Sequence, residues 1–114
     1  METILRGKSY EQGFILTYKD TVVAIDLDAL SEITIEIKHN KLKTVLLTRT
    51  LTGGTVTKVT AASGNCSIFI NPTDTTSADL GQYDYVITIL YTDTHFDGDT
   101  ADPAGFGECF ILQD

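Results

Sequence analysis

Alternation with a period of two runs through most of this chain, and it limits what the chain can fold into. In Ile33-Thr34-Ile35-Glu36-Ile37-Lys38 the isoleucines point one way and the polar residues the other, the pattern of a strand with one buried face. Tyr83 to Tyr91 repeats it: the odd positions are Tyr, Tyr, Ile, Ile, Tyr, and the even ones include Asp84 and Thr88. The length of that run predicts a central strand. Threonine supplies about one residue in six of the 114, and a chain rich in Thr, Ile, Val and Tyr favours strands over helices.

Shorter segments complete the set. Phe14 to Tyr18 alternates with Phe14, Leu16 and Tyr18 on one face, and Val22 to Leu27 reads as a short extended piece. Lys43 to Leu51 and Thr55 to Val59 flank Gly53-Gly54 and read as a hairpin. Gly64-Asn65 marks a turn before the strand Cys66 to Ile70. Phe106 to Leu112, led in by Pro103, Gly105 and Gly107, reads as the last strand. Only Asn71 to Gly81 breaks the alternation. Asn71 can cap, Pro72 suits a first helical position and Gly81 an exit, so one helical turn is expected there. Seven or eight short strands predict an all-β fold, an antiparallel sandwich, in one domain over residues 1–114.

Charge and composition exclude several classes of function. Sixteen acidic against eight basic residues give a net charge of -8. Binding to nucleic acid needs clustered Lys and Arg, and an anionic membrane surface repels such a chain, so neither partner is expected. No apolar run approaches the ~18 residues that span a bilayer. Met1-Glu2-Thr3-Ile4 has neither the basic nor the apolar region of a secretory signal. No phosphate-binding loop, nucleophile elbow or zinc-protease motif occurs, and His39 and His95 have no nucleophile nearby in sequence. The expectation is a protein that is not an enzyme and needs no cofactor.

Three constellations remain. Asp79-x-Gly81-x-Tyr83, between a helical turn and a strand, has the form of the tyrosine corner of immunoglobulin-like sandwiches, in which a buried Tyr bonds backbone a few residues upstream. Its role is structural, and Tyr85 stands where antibody domains carry Cys. Cys66 and Cys109 lie on strands beside aliphatic residues and read as buried free thiols. Asp93, Asp97, Asp99 and Asp102 crowd the segment before the last strand. Asp97-Gly98-Asp99 resembles the start of a calcium loop but lacks the spaced ligands that would complete one, and no metal site is expected.

The chain resembles the immunoglobulin-like domains of tailed-phage virion proteins, such as the N-terminal domain of siphophage upper baseplate and tail-fibre proteins. Three blocks carry the resemblance. They are Leu5-Arg6-Gly7-Lys8-Ser9-Tyr10 before a strand, then Val23-Ala24-Ile25-Asp26-Leu27 with Ile33 to Ile37, then Gly64 to Ile70 followed by Pro72, Thr75 and Leu80-Gly81-Gln82-Tyr83-Asp84-Tyr85-Val86-Ile87. It departs from the family in the long acidic stretch Thr92 to Pro103, and it stops at Asp114 without coiled coil or receptor-binding domain, so receptor binding is not carried over.

The resemblance implies a docking or adaptor module of the head, neck, baseplate or fibre attachment. It also implies other virion proteins as partners and assembly in the host cytoplasm. Apolar residues beside open strand edges predict a homo-oligomer, and the resemblance makes a trimer the first expectation. Expected contact residues lie on strand edges: Phe14, Leu16 and Tyr18 on one, and Val45, Leu46 and Leu47 on another, where an unbroken apolar run must turn one residue outward. The alternative is a carbohydrate-binding sandwich using Tyr10, Tyr18 or Tyr91 as stacking platforms, with calcium at Asp97 and Asp99.

Overall fold

A computed structural model describes residues 1–18, 22–92 and 99–114, without the side chains of 92 and 99–104. Its strands are β1 (Glu2–Leu5), β2 (Tyr10–Ile15), β3 (Leu30–His39), β4 (Val45–Thr50), β5 (Val56–Thr60), β6 (Asn65–Ile70), β7 (Gly81–Thr92) and β8 (Asp99–Gln113). The helical turn α1 is Pro72–Thr75. The two best alternating segments become neighbours at the centre of the larger sheet. β3 and β7 pair antiparallel from Ile33↔Ile89 to His39↔Tyr83. Ile33, Ile35 and Ile37 are fully buried, with Tyr83, Ile87 and Ile89 beside them.

The strands form a five-stranded sheet in the order β1-β8-β7-β3-β4 and a three-stranded sheet in the order β2-β6-β5. This is an all-β sandwich, and the order matches the B-E-D and G-F-C-C′ sheets of the immunoglobulin fold. Phe14, Val56, Cys66, Ile68 and Ile70 from the small sheet meet the large sheet in one apolar cluster. The Phe14 and Tyr85 rings touch edge to face across it, centroids 5.0 Å apart. β1 runs parallel to β8. The chain then crosses to the other sheet through Gly7, whose φ of 76° suits glycine.

The structure corrects three of the sequence expectations and adds a strand, β1, that they did not contain. β4 and β5 do not form a hairpin: β4 pairs with β3 and β5 with β6, so the Gly53-Gly54 turn carries the chain from one sheet to the other. β1 had no alternation to reveal it. Val22 to Leu27 is no strand; it makes one bridge, Thr17↔Ala24, and enters a 3-10 turn at Leu27. The last strand begins at Asp99 rather than Phe106. Pro103 fits there because the β7–β8 register shifts beside it, and a bulge tolerates a residue without an N–H.

Bulges also reset which side chains face inward. Ile37 pairs with Leu47 but Lys38 with Val45, so Leu46 is an extra residue and the phase of β4 flips. Leu47 is core, Leu46 is half-buried against it and Val45 is exposed. Likewise Tyr83 pairs with Phe110 and Asp84 with Glu108, leaving Cys109 as the extra residue. Phe110 and Leu112 are therefore the inward residues of β8, and Cys109 is buried in the bulge, as expected.

Candidate docking surfaces

The corner at the end of the sandwich is held by side chains bonded to backbone. The Tyr83 hydroxyl donates to the Asp79 carbonyl at 2.7 Å, and its buried ring stacks on Phe110. Gly81 has φ of 123° and lies over His39; a Cβ there would sit 3.2 Å from the imidazole Nε2. His39 itself is buried and edge-on to Tyr83. Its Nδ1 accepts the N–H groups of Lys41 and Leu42 at 3.2 and 3.1 Å. The ring proton is thereby placed on Nε2, which donates to the Leu80 carbonyl at 3.0 Å. One imidazole thus closes the β3–β4 turn and anchors it to the entry of β7. In the sequence, the one signal that His39 faces inward is its position two residues after Ile37, the last isoleucine of β3.

Polar straps also close the long side where β4 overlies β5 and β6. Arg49 donates to the Phe69 carbonyl and pairs with Asp74 at 2.7 Å, and the same carboxylate oxygen accepts the Asn71 N–H. Glu32 receives the Leu51 and Thr52 N–H groups and the Thr52 hydroxyl. Burial works to raise the Glu32 carboxyl, but the bonds from Thr52, Ile33 and Leu51 outweigh it and hold the group below its ordinary range.

The remaining residues singled out in the sequence are scattered. Cys66 and Cys109 are buried free thiols. Burial pushes the Cys66 thiol up to about 11 and Cys109, with Asp84 and Glu2 nearby, up to about 12, which leaves both inert as nucleophiles near neutrality. Asp93, His95 and Asp97 lie outside the described residues, as do the side chains of Asp99 and Asp102. Tyr10 is half-buried and its hydroxyl is bonded to Glu2; burial first, then that carboxylate, raise it to about 12. Tyr91 is half-buried and Tyr18 exposed.

Phe14, Leu16 and Leu47, expected at an interface, are core residues: Phe14 and Leu47 lie on the inward phase of β2 and β4, and Leu16, just past the end of β2, is buried as well. The edge positions themselves are as expected: β2 and β4 each end a sheet. The most exposed aromatic side chain among the described residues is one the alternation concealed. Phe106 is 81% exposed, and it pairs across β7–β8 with Val86, 41% exposed. Both stand on the outer face of the five-stranded sheet, because the Cys109 bulge turns Phe106 out while Phe110 turns in. A shallow cavity of about 410 Å³ beside them is walled by Lys38, Lys43, Asp84 and Glu108. Asp84 is fixed by the amides of Asn40 and Gln82 at 2.7 and 2.9 Å.

A larger groove of about 620 Å³ opens on the long side where β2 faces β8, and Phe14, Tyr85 and Ile87 line it. Among the described residues no three His, Cys, Asp or Glu side chains converge as metal ligands would. Neither a protein-family model nor a curated protein matches the chain.

Proposed function

We propose that this chain is a non-enzymatic structural protein of a bacteriophage virion, a docking or adaptor module that acts through protein–protein contacts. The observation that carries the docking reading is the Phe106–Val86 pair on an open sheet face, rimmed by Lys38, Asp84 and Glu108. Apolar side chains grouped in mid-strand and ringed by charge mark a surface that meets another protein. The virion assignment rests on the sequence resemblance to phage sandwich domains. The same resemblance suggests self-association as a trimer; the exposed Phe106 supports this face as its site, with repeated weak contacts adding up in a symmetric particle.

Mass spectrometry of purified particles from a phage encoding the chain tests the assignment. The protein should co-purify with the other virion proteins in a fixed ratio. Its presence in the infected-cell lysate but not in purified particles would refute the virion role.

A further inference from the structure

We propose that β2 is an acceptor edge for an extended, basic segment of a different protein, which adds as a strand beside Tyr10–Ile15. The inference deepens the docking reading and concerns a second surface, distinct from the Phe106 face.

The edges of the two sheets are not equivalent. β4 is bulged at Leu46 and carries Arg49. β5 carries Lys58 and shifts register between Lys58 and Thr60. β1 has four residues. The outer side of β8 beyond its pairing with β1 carries Pro103 and Glu108 and is broken by register shifts. These are the devices that keep an edge from recruiting a strand. β2 has no Lys, Arg, Pro or bulge: its one charge is Glu11, and its six residues pair with β6 in unbroken register. Six residues offer about 20 Å of edge.

The groove beside that edge has the form an added strand needs. Alternate side chains of an incoming strand point inward, and here they meet Phe14, Tyr85 and Ile87, with room left by Gly13 and Gly105. Ile15, 71% exposed at the end of β2, also lines the groove. Charge selects the occupant. Glu11 is the one charged residue lining the groove among the described residues, on a chain of net charge -8. A second copy would bring its own Glu11 and a further -8 to the contact. A strand with apolar residues inward and Lys or Arg outward is attracted instead.

The test uses three labelled peptides read by fluorescence anisotropy: Lys-Val repeated four times, Glu-Val repeated four times, and the Lys-Val peptide with a central Pro. Hydrogen exchange then locates the bound peptide. The Lys-Val peptide should bind saturably and slow exchange in β2, with the other two at least about tenfold weaker. Glu11→Lys should reverse the preference between the charged peptides; should that variant fail to fold, Glu11→Gln should abolish the preference. Absence of Lys-Val binding would overturn the proposal, as would slowed exchange on another strand or indifference to Glu11. Slowed exchange in β2 that grows with protein concentration alone would also overturn it, assigning the edge to a second copy. None of these results bears on association through Phe106, so this inference can fail while the docking reading stands.

Discussion

On one long side of the sandwich Arg49 reaches from β4 to the Phe69 carbonyl and Asp74, tying the two sheets together. On the other side β2 and β8 face each other across a groove. The rings of Phe14 and Tyr85 meet within it, and the Tyr10–Glu2 hydrogen bond lies on the same side. The fold is completed by its own side chains on the first side and left open on the second. The closed side satisfies its turn and edge groups internally, through Arg49, Asp74 and Glu32. The open side leaves a clean edge and an apolar trough, which an added strand can complete.

The largest loss of stability is expected where β2 is seated. Gly64 has φ of 73°, and a Cβ there would stand 2.4 Å from the Leu16 carbonyl oxygen, while the Gly64 carbonyl accepts the Leu16 N–H. Gly64→Ala should cost about 3 kcal/mol in urea unfolding, because backbone rather than a movable side chain blocks the methyl. On the closed side, Arg49→Met keeps the aliphatic stem and leaves Asp74 without its cation. The expected loss is about 2 kcal/mol, and a loss below about 0.5 kcal/mol would mean the strap does not close that side.

At the corner, Tyr83→Phe removes the one bond to the Asp79 carbonyl and should cost about 1–3 kcal/mol. Tyr10→Phe, at a half-exposed site, should cost less. Equal small losses at both would reduce the corner to a simple turn.

The smallest effect is expected at Glu32. Its carboxyl is held below the ordinary value in the folded state, so its contribution is present above about pH 4.3, the unfolded value. The contribution disappears as the pH falls through the lower folded value. Glu32→Gln should therefore be less stable than the parent by about 1 kcal/mol at neutral pH, a figure discounted for solvent screening. The gap should close in acid, and a gap constant with pH would contradict the assignment.

Much of this architecture was legible because alternation reports a buried face directly. Ile33, Ile35 and Ile37, and the odd positions of β7, needed only a period of two, and Asp79-x-Gly81-x-Tyr83 marked a corner by spacing alone. What was hidden depends on partners distant in sequence or on single extra residues. β1 is a strand because β8 lies beside it. Gly53-Gly54 gives the same local signal whether the flanking strands pair or diverge to different sheets. The bulges at Leu46 and Cys109 flip the phase, which is why Leu47 proved to be core and Phe106 surface. The imidazole of His39 holds the turn only because three backbone groups converge on it.

The central claim, that the open sheet face makes protein–protein contacts, is tested most directly by light scattering of the parent and Phe106→Asp across protein and salt concentration. Phe106 is exposed, so the substitution should change stability by no more than about 0.5 kcal/mol. The parent should rise above the 12.4 kDa of one chain toward a trimer as concentration increases. It should do so more readily as salt screens the charge of -8, and Phe106→Asp should stay monomeric. A parent that remains a monomer throughout, or a variant that associates equally well, would contradict the account.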